Sequence, residues 1–168
     1  AELAAVALPE YGPDEVLIRV RSAALCGTDL HVLAWNLWAR NAGIQLPFIL
    51  GHECCGDVVA VGREVRGIRE GDKVVVETHI PCGQCYQCRN GEQHICANLK
   101  LFGIHRNGCF AEYAAAPAVC VRPVPAAIPV MHFAGIRILI LYRINSAPVT
   151  TFFLTFQSIN YRERQAHT

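Results

Sequence analysis

Charge is what this sequence has least of. Charged residues make up 17% of its 168 positions against 52% hydrophobic ones, and the net charge is only +1. That balance offers no basic face for nucleic acid and no strongly charged surface for a charged substrate. No apolar run reaches the roughly 18 residues a membrane span requires, so no transmembrane helix and no membrane partner are expected. Residues 1–8 are interrupted by Glu2 and stopped by Pro9, which argues against a signal peptide. Two further gaps lie toward the end: no acidic residue stands between Glu112 and Glu163, and no glycine follows Gly135. The second gap excludes a G-x-G-x-x-G dinucleotide turn beyond that position, so no cofactor-binding residue is assigned.

Cysteine, in contrast, is abundant, with nine in the chain. Cys82, Cys85, Cys88 and Cys96 are spaced x2, x2 and x7. Two-residue gaps let neighbouring thiols turn onto one ion, and the longer return brings in the fourth. This is the pattern of a tetrahedral all-cysteine zinc site with Zn–S bonds of about 2.3 Å. Three thiols so close together are cramped for disulfides. The nearest iron–sulfur pattern has a shorter third gap and a following proline, both missing here. Gly83, Gln84, Tyr86, Gln87, Arg89, Asn90 and Gly91 between the ligands are turn-forming or polar. A lobe of this kind (residues 79–98) has little to bury, so the metal must hold it. Four thiolates close the coordination sphere, and the zinc is therefore structural. The spacing predicts the sulfurs within about 4 Å of one another. The odd total and the five remaining thiols suit a reducing, cytoplasmic setting better than a disulfide scaffold.

Residues 15–22 alternate Val16, Ile18 and Val20 against Glu15, Leu17, Arg19 and Arg21, which predicts a half-buried strand. Any strand before it is short or missing. Segments 57–61, 73–78, 110–115 and 119–121 are short and mostly rich in valine or alanine, with Gly62, Gly67, Gly71 and Gly108 between them. Several short strands with glycine turns predict a mainly β fold, a barrel or sandwich. Asp29 is placed as the N-cap of a short helix carrying His31. Taken alone, Cys26 reads as a small buried hydrophobe and His52 beside Glu53 as a structural pair, while His79 reads equally as a loop histidine or a site residue. Phe48, Trp35 and Trp38 read as packing residues. Cys26, His52 and Glu53 together would supply mixed ligands for a second zinc with an open position.

The run Cys26-Gly27-Thr28-Asp29-Leu30-His31 is followed in order by Gly51-His52-Glu53, Gly56, Gly71-Asp72-Lys73-Val74, the four-thiol lobe and Gly108-Cys109-Phe110-Ala111-Glu112-Tyr113. This order resembles the N-terminal catalytic domain of zinc-dependent medium-chain dehydrogenases. Residues 35–39 and 78–82 resemble the L-threonine 3-dehydrogenases among them most, and polyol and butanediol dehydrogenases share much of the pattern. The resemblance implies an irregular chaperonin-10-like β-barrel over residues 1–137, followed in the family by a Rossmann domain.

It also implies roles. Cys26, His52 and Glu53 would hold a catalytic zinc, acting as Lewis acid on a small-molecule alcohol. Thr28 and His31 would relay the hydroxyl proton to solvent, and His79 would lie near the substrate. Two zincs per chain are implied, with NAD as the family's cofactor but not expected to bind here. Residues 138–168 lack the family's continuation and are apolar without helical periodicity, so they are read as a non-family, poorly ordered tail with the Rossmann domain absent. The chain on its own is expected to be monomeric and without activity. A stand-alone zinc-stabilised binding or assembly module is the reading from another class.

Overall fold

A ten-residue strand, Glu15–Ala24 (β2), is the longest element among the described residues. The computed structural model describes residues 2–125 and, by their backbone alone, residues 151–154. In chain order the other elements are β1 (Glu2–Ala4), α1 (Gly27–Leu33), α2 (Leu37–Asn41), β3 (Phe48–Ile49), β4 (Glu53–Val61), β5 (Lys73–Val76) and β6 (His79–Ile80). They are followed by α3 (Tyr86–Arg89), β7 (Lys100–Leu101), β8 (Tyr113–Pro117), β9 (Val121–Pro123) and β10 (Thr151–Leu154). The principal sheet has the order β8-β2-β4-β5-β9, and every pairing among the described residues is antiparallel. The fold is mainly β, as the valine-rich segments predicted, and no parallel βαβ unit occurs among the described residues.

Strict alternation in β2 does not survive. Leu17, expected on the outer face, is 5% exposed and lies between the buried Val16 and Ile18. The register against β4 shifts between Leu17 and Ile18 and again between Val20 and Ser22. The first shift puts its extra residue on β4, and the register with β8 runs unbroken from Glu15 to Arg19, so Leu17 stays opposite Val16 and Ile18 and both faces of the strand are covered there. The predicted strand at 119–121 is also displaced, because Ala118–Cys120 forms a 3-10 turn before β9.

Val16, Ile18, Val20, Val58, Val74, Val76, Phe102 and Val121 fill the main core, with Cys54, Cys109 and Cys120 as small apolar fillers. Full burial of such side chains stabilises by about 1.5–3 kcal/mol each for Val, Ile and Phe. A smaller cluster of Val32, Phe48, Leu50 and Ile104 seats α1 and the segment leading to His52. Phe48 is thus a packing residue, whereas Trp38 is 43% exposed and not part of the core. The cysteine lobe leaves the barrel through the two-stranded β6–β7 ribbon, in which His79 pairs with Leu101 and Ile80 with Lys100.

Backbone residues 151–154, within the segment read as a tail, lie antiparallel between β1 and β3. The boundary placed at residue 137 and the rest of 138–168 fall outside the described residues. No helix among the described residues is long and apolar enough to cross a membrane.

Candidate metal centres

The four lobe sulfurs, from Cys82, Cys85, Cys88 and Cys96, all lie within 4.8 Å of one another. Ideal tetrahedral Zn–S bonds would put them about 3.8 Å apart; Cys85 Sγ to Cys96 Sγ is 3.8 Å. Local structure explains the convergence. Cys85 caps the one-turn helix α3, so Cys85 and Cys88 share a face three residues apart. Cys96 closes the 3-10 turn Gln93–Ile95. The backbone N–H groups of Cys82 and Asn98 each donate to Cys96 Sγ at 3.3 Å.

Backbone N–H groups of Gln84 and Cys85 pull the Cys82 thiol down to about 6. Burial and the neighbouring sulfurs push Cys88 up to about 12. Four thiolates this close repel one another, and a divalent cation is the group that removes the conflict. The donor set therefore fits zinc. All nine cysteines are free thiols, which removes the disulfide alternative.

Cys26, His52 and Glu53 form the second group, with one ligand atom from each within 4.8 Å of the others. Strand register is the cause: Ala24 at the end of β2 pairs with Glu53 at the start of β4, so the residues just beyond meet. Gly51 sets the approach of His52. Its φ is +98°, and a Cβ there would enter the Phe110 ring. Gly103 and Gly108 pack against the Gly51 carbonyl with no room for a side chain, and Cys109 N–H donates to that carbonyl at 2.9 Å.

Asp29 is the residue sequence reasoning placed wrongly. Cys26, not Asp29, is the N-cap of α1. Asp29 sits three residues further in, fully buried, and its Oδ2 accepts from Cys26 N–H at 2.7 Å. Its Oδ1 is 3.4 Å from His52 Nδ1 as an ion-pair contact, and neither buried atom has a hydrogen-bond partner. With Nδ1 facing Asp29, Nε2 is the imidazole nitrogen left available to a metal. Burial opposes charge on His52, but the Asp29 carboxylate and the Cys26 sulfur outweigh it and raise the imidazole to about 9. A cation bound here replaces that proton. The missed signal was the capping-box spacing, a potential cap followed three residues later by an acid.

Thr28 joins this group, since Cys26 Sγ and Thr28 Oγ1 are 3.8 Å apart. His31 is exposed and held elsewhere: Asn36 Nδ2 lies 2.9 Å from its Nδ1 and the Trp38 ring 6.4 Å from its ring. No hydrogen bond joins His31 to Thr28. His79 is half exposed and paired with Glu77. Its strand follows Thr78, whose hydroxyl donates to the His52 carbonyl at 3.2 Å.

Residues 12–126 match the alcohol dehydrogenase GroES-like domain. The chain belongs to that family. It is 54% identical over 129 residues to an L-threonine 3-dehydrogenase of Pyrococcus abyssi, covering 77% of this chain and 37% of that protein. An L-threonine 3-dehydrogenase of Legionella pneumophila is 48% identical over 120 residues, 71% of this chain and 35% of that protein. Among solved structures, galactitol-1-phosphate dehydrogenase from Escherichia coli superposes with TM-score 0.68 at 34% identity, covering 76% of this chain and 36% of that one. A zinc-binding dehydrogenase from Sinorhizobium meliloti, bound to NADP, gives TM-score 0.66 at 39% identity over 74% and 35%. This GroES-like chain spans just over a third of the length of the relatives it matches.

Proposed function

We propose that the chain is the zinc-binding catalytic part of an L-threonine 3-dehydrogenase-type oxidoreductase, holding one zinc at Cys26, His52 and Glu53 and one at Cys82, Cys85, Cys88 and Cys96. The observation that carries this reading is the convergence of a thiol, an imidazole and a carboxylate within 4.8 Å, next to the Thr28 hydroxyl. When bound, the first zinc supplies Lewis-acid polarisation of an alcohol oxygen. Thr28 stands beside that position and receives the hydroxyl proton. His31, on the same short helix, hands protons to solvent. His79 contributes to the substrate wall.

Oxidation of a secondary alcohol to a ketone with NAD is the activity proposed for the intact type. Hydride transfer needs a nicotinamide held close to the alcohol carbon, and enforced proximity supplies about 7–11 kcal/mol of the barrier. Nothing in the described residues offers the glycine turn and helix N-terminus that bind a dinucleotide, so this stretch by itself is proposed to be inactive. We also propose a cytoplasmic, monomeric chain. Galactitol-1-phosphate dehydrogenase as a structural neighbour favours a polyol or diol as the alternative substrate class.

Metal analysis tests the reading directly. Two zincs per chain are expected, falling to one in Cys26→Ser; a wild-type content of one or none overturns the two-site assignment. Calorimetry with NAD and turnover of L-threonine and 2,3-butanediol test the rest. Micromolar NAD binding, or turnover above the zinc-free control, would sink the inactivity.

A further inference from the structure

His31 has been treated as a mobile proton carrier, yet its ring is held on one side. Asn36 Oδ1 accepts from Ala39 N–H at 3.0 Å and so caps α2. Because a backbone N–H can only donate, that bond fixes which end of the carboxamide is oxygen. The other end, Nδ2, lies 2.9 Å from His31 Nδ1. An amide nitrogen can only donate, so Nδ1 must be the unprotonated nitrogen and the ring proton sits on Nε2.

The backbone is shaped to keep this contact. Asn36 N–H also reaches back to the His31 carbonyl at 3.3 Å, and Trp35 N–H to that of Val32 at 3.0 Å. These bonds end α1 in a tight left-handed turn of the kind that glycine usually makes. Here Trp35 makes it, at φ +47°, a conformation that a bulky side chain rarely adopts. Costly backbone geometry of this sort is found where a position must be held. Trp38, the second residue of α2, flanks the same ring with its plane tilted by 55°.

We propose that Asn36 is a positioning residue that sets the tautomer of His31. With that contact in place the ring proton sits on Nε2, which is left as a hydrogen-bond donor. The only free lone pair of that tautomer is the one Asn36 covers. Proton uptake by His31 therefore requires the Asn36 amide to leave Nδ1, which makes Asn36 the gate of the relay. The inference rests on the relay reading of His31, but the bond it concerns exists whether or not His31 moves protons.

Nitrogen-15 NMR of the histidine-labelled chain tests it, with His31 signals assigned by their loss in His31→Gln. The wild type should give the two-bond correlation pattern of an Nε2–H imidazole. Asn36→Asp keeps an oxygen cap on Ala39 N–H but presents a second oxygen to Nδ1. Its His31 should lose the Nε2–H pattern and show Nδ1–H or imidazolium instead. Asn36→Ser keeps the cap and cannot reach the ring, so it separates loss of the helix cap from loss of the His31 contact. An Nδ1–H ring in the wild type, or an unchanged pattern in Asn36→Asp, overturns the proposal. So does a switch in Asn36→Ser equal to that in Asn36→Asp. Failure of the relay alone would appear differently, as zinc-dependent turnover in a chain with a cofactor domain that is indifferent to His31→Gln while the tautomer result stands.

Discussion

The barrel and the cysteine lobe are held together by different forces. In the barrel, Val16, Ile18, Val74 and Phe102 are fully buried and the hydrogen-bond ladders of the five-stranded sheet are shared among neighbours. In the lobe, Tyr86 is 77% and Ile95 54% exposed, and Cys88 and Cys96 are the buried side chains. Apolar burial stabilises the first, whereas the second has almost nothing to bury except its clustered thiols. A fold can therefore carry a unit with no core provided a metal supplies the missing free energy, about 10 kcal/mol or more for structural zinc.

That contrast predicts the largest effect. Cys88→Ser, or a strong chelator, should unfold residues 79–98 and leave the barrel standing, because the β6–β7 ribbon ends on the fully buried Phe102. Hydrogen exchange read residue by residue would check it; loss of protection in β2 and β4 as well would show the two regions to be one cooperative unit.

Phe102→Ala attacks the other side of the comparison. Emptying a site with 0% exposure should cost the barrel about 3–5 kcal/mol, seen as a lower urea midpoint. The zinc content of the lobe should persist until the barrel melts.

Asp29→Asn should weaken zinc at Cys26, His52 and Glu53 by about 10–100-fold, since the carboxylate that orients His52 loses its charge. Competition with a coloured chelator would resolve the two sites. An equal loss at the lobe would mean that Asp29 acts through stability and not through His52.

The smallest effect is a pH dependence confined to the barrel. Burial alone would raise the Glu15 carboxyl, but hydrogen bonds from Arg106 and the Gly12 N–H outweigh it and hold it below the usual range. A depressed carboxylate contributes stability above its unfolded value, near pH 4.3, which is lost as pH falls through the lower folded value. The Arg106–Glu15 bond is 2.6 Å with the Glu15 side chain 15% exposed, so about 1.5 kcal/mol is at stake. Urea midpoints from pH 6 to 3 should fall less steeply in Glu15→Gln. An unchanged slope would remove Glu15 from the acid response.

The sequence alone determined the thiol cluster of the lobe, because Cys82, Cys85, Cys88 and Cys96 lie within fifteen residues and short turns suffice to gather them. It also determined the β class, through short valine-rich segments cut by glycine. Cys26, His52 and Glu53 were legible only through resemblance, since no local spacing joins residue 26 to residue 52. Tertiary structure decided that group, through the Ala24–Glu53 register and the glycine contacts at Gly51, Gly103 and Gly108. It alone decided the outcome for Leu17, which is buried on the face that period-two reasoning leaves to solvent. It decided likewise that Asp29 lies beneath His52 and that Asn36 holds His31. Those pairs depend on where a strand ends and a helix turns, and such places are set by packing between distant segments.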